Sequence, residues 1–143
     1  MEELDELVLK LESIIDFQRV FLREVVSENE QLIAGLVTSQ MERGETGEGT
    51  PIRPEYSPGY AAFKGFSTPD LKLTGAFHAS VYADAEQDDI IIDATDSKRG
   101  QLTAKYGENI LSLQERNIDR LNEAVIIPEM QRKNERYFQV TNA

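Results

Sequence analysis

The first 42 residues carry the feature that most limits how this chain can fold. Their apolar side chains recur every three or four residues, which is the spacing that lines one face of a helix. The stripe consists of Leu4, Leu7, Leu11, Ile14, Phe21, Val25, Leu32 and Leu36. The stripe is interrupted at Gln18 and around residues 28–29. A kink or a short break is expected at one of these places, since Ser27 and Glu30 match a capping box and Asp16 could also cap a helix. A continuous helix of this length would be about 60 Å long, so part of it should project and bind a partner.

Residues 43–70 change in character, because glycine and proline recur through them and exclude long regular elements. Large apolar side chains are interleaved with these breakers: Ile52, Tyr56, Tyr60, Phe63 and Phe66. A loop of this length is usually functional or disordered, and disordered segments are poor in aromatic residues. The sequence therefore predicts an extended arm that becomes ordered when it binds a partner. We call residues 43–70 the aromatic loop.

Residues 71–143 read as an α+β core. A short helical turn starts near residues 74–75, and a β-hairpin follows from Val81, with a polar turn at 86–89 and a return strand at 90–92. Ser112 and Glu115 match a capping box that opens a last helix, which Pro128 must end or restart. The predicted fold class is α+β in one domain, 1–143, with a long N-terminal helix, an extended loop, a central antiparallel hairpin or small sheet, and a C-terminal helix broken at a proline.

Charge and composition exclude several functions. The formal net charge of −11 disfavours a large nucleic-acid interface and predicts no sequence-specific binding of nucleic acid. The absence of cysteine excludes disulfides and thiolate metal sites, which fits a reducing cytoplasm. No apolar run approaches the ~20 residues of a membrane helix, and the acidic N-terminus is unlike a secretory signal. No membrane association or export is expected.

Catalytic and ligand-binding motifs are incomplete in this sequence. His78, the only histidine, has no partner nucleophile in any motif and is expected to be a partly exposed residue on a short helix. The acids from Asp84 begin like a calcium loop, but Asp89 and Thr95 occupy the positions that need Gly and Glu. The glycines at 44–49 lack the Lys and Ser or Thr of a phosphate loop and predict a flexible turn. We predict a non-enzyme with no catalytic, cofactor or metal site.

One cluster in the aromatic loop is the strongest candidate for a partner interface. Tyrosine and arginine are enriched at the energetic centres of protein interfaces. The cluster consists of Arg53, Tyr56, Tyr60, Phe63 and Lys64. Two interpretations stay open at this point: the cluster binds another subunit, or its aromatic rings fix the loop to its own domain.

Four segments, read in order, resemble a known family. Residues 47–64 look like the loop of phage virion-morphogenesis (tail-completion) proteins, and residues 70–81 resemble that family's Thr-Gly signature. Residues 104–107 fall where the family has an Ala-to-Gly segment, and residues 110–117 are similar to its lead into a last helix. The resemblance extends over roughly residues 30–125, in the family's order.

The resemblance implies a structural virion protein that acts in tail completion or in head–tail (neck) joining. It implies a homo-oligomeric ring, partners among the connector or adaptor, tail terminator and tube subunits, no cofactor, and a location in the virion after assembly in the host cytoplasm. The acidic charge leaves an alternative open, a small DNA-mimic inhibitor of a host nucleic-acid enzyme. A mimic would need its acids arrayed along a rigid face.

Overall fold

The computed structural model describes residues 2–141, without the side chains at 138, 140 and 141. As predicted, it is an α+β fold with a long N-terminal helix, a two-stranded antiparallel sheet and a bent C-terminal helix. The helices are α1 (Glu2–Glu28), α2 (Glu30–Glu42), α3 (Pro58–Lys64), α4 (Ala76–Ala79), α5 (Arg99–Tyr106), α6 (Glu115–Leu121) and α7 (Ile127–Thr141). The strands are β1 (Val81–Glu86) and β2 (Asp89–Ala94), and a 3₁₀ turn spans Glu108–Leu111.

The expected break in the first helical segment falls at Asn29, between α1 and α2. The Asn29 side chain donates hydrogen bonds to the carbonyl oxygen of Val25 (2.8 Å) and to Oε2 of Glu129 (3.0 Å), so it anchors the corner to the C-terminal helix. The predicted capping box of Ser27 and Glu30 is wrong. Asn29 occupies the cap position, and its side chain makes no capping bond to α2.

The predicted hairpin is confirmed, with Glu86 paired to Asp89 across a two-residue turn. In β1 the side chains of Val81, Ala83 and Ala85 are buried and alternate with more exposed ones. The two alanines leave room for helices to approach the strand closely, and both α1 and α2 pack on it. The core around this contact comprises Val25, Val26, Ile33, Ala83, Ala85, Leu121 and Ile126.

The aromatic loop folds against an adjoining part of the core. Ile52 is fully buried there and packs in a cluster with α2, α4 and the 3₁₀ turn. Within the loop, Ser57 accepts a hydrogen bond from the Tyr60 amide and caps α3, and Gly65 ends α3 with a left-handed φ of +88°. The glycine turn at 44–49, predicted to be flexible, is compact, and the Gly47 amide donates to the Asn109 carbonyl (2.8 Å).

The C-terminal helical segment bends where proline interrupts its hydrogen bonds. Pro128 cannot donate to the carbonyl four residues earlier, and a π-helical turn at Asn122–Ile126 precedes it. Helix α7 then continues along the second half of α1. Lys133 binds the carboxylates of Glu24 (2.9 Å) and Glu28 (3.2 Å), which ties the two helices together.

The predicted capping box at Ser112 and Glu115 is wrong. Helix α6 begins at Glu115, with Gln114 at the cap position and no capping bond from a side chain. The Gln114 amide instead donates to Oε1 of Gln40 (2.9 Å), and its side chain donates to the Thr46 carbonyl (3.0 Å). The start of α6 is therefore fixed by contacts with α2 and the glycine turn.

Candidate functional site

The first half of α1 extends away from the core and is exposed to solvent. Every residue from 2 to 17 is exposed, whereas Val25 and Val26 on the same helix are fully buried. The apolar stripe that builds the core at residues 22–26 therefore continues along a helix on which no described side chain from another element is seen to pack. On this exposed part of the helix, Val8 and Ile15 border the predicted stripe and widen it, so that it comprises Leu4, Leu7, Val8, Leu11, Ile14 and Ile15. We call residues 2–16 the helical arm.

Among the described side chains of α7, those that meet α1 reach as far as Phe17. The rings of Phe17 and Tyr137 lie 4.5 Å apart, and Phe21 meets Tyr137 at 6.2 Å. Gln18, which interrupts the stripe, exchanges amide hydrogen bonds with Asn134. The polar residue that looked like a break in the sequence pattern is thus paired with α7, and α1 stays continuous there.

The structure brings three of the five predicted interface residues together around Asp70. Oδ1 of Asp70 accepts hydrogen bonds from the Tyr56 hydroxyl (2.9 Å) and from Nζ of Lys64 (3.0 Å). The ring of Tyr60 packs edge-on against Tyr56, with 4.8 Å between centroids. These contacts fix the aromatic loop to its own chain, which is one of the two interpretations that the sequence left open.

The other two predicted residues do not contact Asp70, although the ring of Phe63 lies 6.1 Å from that of Tyr60. Phe63, on the outer side of α3, is 82% exposed. Arg53 is also exposed; it donates a hydrogen bond to the Ile52 carbonyl (3.2 Å) and forms a surface ion pair with Glu55 at 3.6 Å. Their role in binding a partner stays a prediction.

Asp70 holds an ionised carboxylate in a half-buried position. Burial acts to raise the pKa of Asp70, but hydrogen bonds from Lys64, the Lys72 amide and Tyr56 outweigh it and leave the pKa below its usual value. Burial raises the pKa of the Tyr56 hydroxyl to about 12, so Tyr56 is neutral near pH 7. The next residue, Leu71, adopts a left-handed conformation (φ +60°), which is uncommon for a residue other than glycine.

A half-open cleft of about 330 Å³ lies between the aromatic loop, α4 and α5. Its floor is apolar, since Leu71 and Phe77 are buried core residues. Three lysines line it, Lys72, Lys98 and Lys105, and none of the lining residues that the structure describes is a carboxylate. We call it the lysine cleft. Its residues come from three separate segments and show no motif, so no signal in the sequence points to it.

His78 is buried, which corrects the expectation of partial exposure. Its Nε2 lies 2.7 Å from the carbonyl oxygen of Asp70, so it helps to hold the segment that carries the carboxylate. Its Nδ1 has no hydrogen-bond partner within the described residues and lies 4.0 Å from the Glu42 carboxylate. His78 thus packs α4 against the end of α2.

Among the described residues there is no group of three or more His, Asp or Glu side chains arranged to hold a metal ion. The acids at the hairpin tip are solvated, and Asp88 forms an ion pair with Arg19 of α1 at 3.1 Å. No helix within residues 2–141 is long and apolar enough to cross a membrane. Comparison with protein-family models, curated proteins and solved structures finds no match for this chain.

Proposed function

We propose that this protein is a structural, non-enzymatic virion subunit that acts in phage tail completion or head–tail joining through protein–protein contacts in a ring. The observation that supports a binding role is the helical arm, whose apolar face is exposed over four turns in the part of the chain that the structure describes. The order of four family-like segments supports the phage context.

The energetics of the arm favour a protein partner. Full burial of one leucine or isoleucine side chain stabilises a complex by about 1.5–3 kcal/mol, and the six stripe residues are already about half buried. Covering them would contribute roughly 5–9 kcal/mol before the entropic cost of association. A patch of this kind marks an interaction surface in a stable protein. The DNA-mimic alternative uses the acids but leaves these leucines without a role.

Electron microscopy of virions tests the proposal, after the neighbouring genes have identified the phage that carries this one. Phage with Leu7→Asp and Leu11→Asp should yield full heads and separate tails. Both side chains are about half exposed, so the fold should survive the change. Leu9→Asp is the matched control, because Leu9 is 62% exposed on the opposite face of the same helix.

Normal virions from the double variant would contradict the proposal. Neighbouring genes without portal, capsid or tail proteins would contradict the phage context. Inhibition of a purified host nucleic-acid enzyme by the wild-type protein and equally by the double variant would favour the DNA mimic instead.

A further inference from the structure

The chain carries two uncovered surfaces of opposite chemistry. The helical arm combines an apolar stripe with six carboxylates and a single lysine, Lys10. The lysine cleft combines an apolar floor with three lysines and no acid. We propose that the helical arm of one copy docks in the lysine cleft of a second copy. This inference rests on the proposed function and supplies the contact that would build its ring.

The cleft suits an acidic amphipathic helix. Lys98 and Lys105 form no ion pair with any residue in the described range 2–141, and Lys72 reaches only the exposed carboxylate of Glu42, at 3.6 Å. Leu71 and Phe77 at the floor can pack against the apolar side chains of a helix that enters the cleft. In a protein with a net charge of −11, a cleft whose described charged side chains are all positive is unusual.

The arm carries carboxylates, which can pair with the lysines of the cleft, along both edges of its apolar stripe. At 100° per residue, Glu3 borders one side of the stripe, and Asp5 and Glu12 border the other. When Leu7 and Leu11 enter a cleft, carboxylates on both flanks face its rim. Complementary rim charges fix register and speed association more than they add affinity, so the leucines provide most of the binding.

The cleft that an arm enters must belong to another molecule. The arm is one continuous helix with the buried residues Val25 and Val26, so it cannot turn back onto its own chain without breaking α1. A contact between different surfaces of identical subunits is head-to-tail, and it closes into a ring when the rotation between subunits permits. The arm of about 22 Å is long enough to reach past the edge of its own core.

Two other arrangements are less favourable. Arm against arm would bring carboxylates together whether the helices ran parallel or antiparallel, because bases are nearly absent from residues 2–16. A second apolar groove lies between β2 and α6, but Asp88 and Asp89 line one end of it and would repel an acidic helix.

Disulfide cross-linking between two single-cysteine variants tests the contact, since the chain has no native cysteine. One variant is Val8→Cys on the stripe, and the other is Leu73→Cys in the lysine cleft, both at exposed side chains. A mixture of the two at up to about 1 mM, where even a weak contact is populated, should give mixed dimers under mild oxidation. The variant with both cysteines should give a ladder of higher oligomers.

The controls separate the proposed contact from its competitors. Leu9→Cys, on the opposite face of the arm, should cross-link to Leu73→Cys far less than Val8→Cys does. Lys98→Glu with Lys105→Glu should lower the yield of mixed dimers about tenfold, and Glu3→Lys with Glu12→Lys on the arm should restore it. Arg120→Glu, an exposed charge on α6, should change nothing.

Cross-links only between two Val8→Cys copies, or no mixed dimers at the highest concentration, would overturn the inference. If mixed dimers are absent while phage with Leu7→Asp and Leu11→Asp still fail to join heads to tails, the arm binds a different virion protein. In that case the inference is wrong and the proposed function stands. If mixed dimers form but those virions are normal, the proposed function is wrong and the contact between copies stands.

Discussion

Replacement of Gln40 by leucine should remove a large share of the stability of this protein. The Gln40 side chain is fully buried at the end of α2 and makes three hydrogen bonds, each 2.9 Å long. Its Nε2 donates to the Ser112 carbonyl, and its Oε1 accepts from the Gln114 amide and from Nδ2 of Asn117. These bonds hold the start of α6 on α2.

The expected magnitude follows from the three partners that leucine would leave unpaired. Each buried polar group without a hydrogen bond costs about 1–3 kcal/mol, and the added apolar burial of leucine offsets part of that sum. We expect Gln40→Leu to lower the free energy of unfolding by about 3–5 kcal/mol. That is a large fraction of the 5–15 kcal/mol typical of a domain.

Urea unfolding followed by circular dichroism measures this change. The matched control is Gln31→Leu, an exposed position on the same helix, which should alter the free energy of unfolding by less than about 0.5 kcal/mol. A loss below about 1 kcal/mol for Gln40→Leu would refute the reasoning. It would mean that the three partners find other hydrogen bonds when Gln40 is replaced.

Two further substitutions test other parts of the structure. Asp70→Asn should destabilise the protein by about 2–3 kcal/mol at pH 7, because it leaves Lys64 buried without its counter-charge. Folding lowers the pKa of Asp70, so its ionised carboxylate stabilises the protein fully above the unfolded pKa of about 3.9. This stabilisation is lost as the pH falls through the folded pKa. The free energies of unfolding of the wild type and Asp70→Asn should therefore become similar in acid. Gly47→Ala should destabilise by about 1–3 kcal/mol, because a Cβ would lie 2.7 Å from the Ser112 carbonyl oxygen. Urea titrations at pH 7 and pH 3 check both; equal losses for Asp70→Asn at the two pH values, or a neutral Gly47→Ala, would contradict these accounts.

The sequence predicted the features that depend on local pattern. The stripe from Leu4 to Val25 predicted the long first helix, and the length of that helix alone indicated that part of the helix would project. Strand-like residues around a polar turn predicted the hairpin, and Pro128 predicted the bend in the last helix. Each of these follows from residues close together along the chain.

Features that depend on distant residues were missed or wrong. Ser112 looked like a helix cap because its spacing to Glu115 fits, but the buried amide of Gln40, 72 residues away, fixes the start of α6 instead. His78 is buried because Asp70 and the end of α2 enclose it. The lysine cleft joins three segments whose proximity only the tertiary fold creates.

The central claim is that the uncovered stripe of the helical arm is a binding surface. Amide hydrogen exchange of residues 2–16, compared between the free protein and the particle that contains it, tests this most directly. The arm should exchange rapidly in the free protein, because every one of its residues is exposed there. In the assembled particle its exchange should slow by a factor of 100 or more, which corresponds to about 2.7 kcal/mol of added protection. Equal exchange rates in the two states would contradict the account.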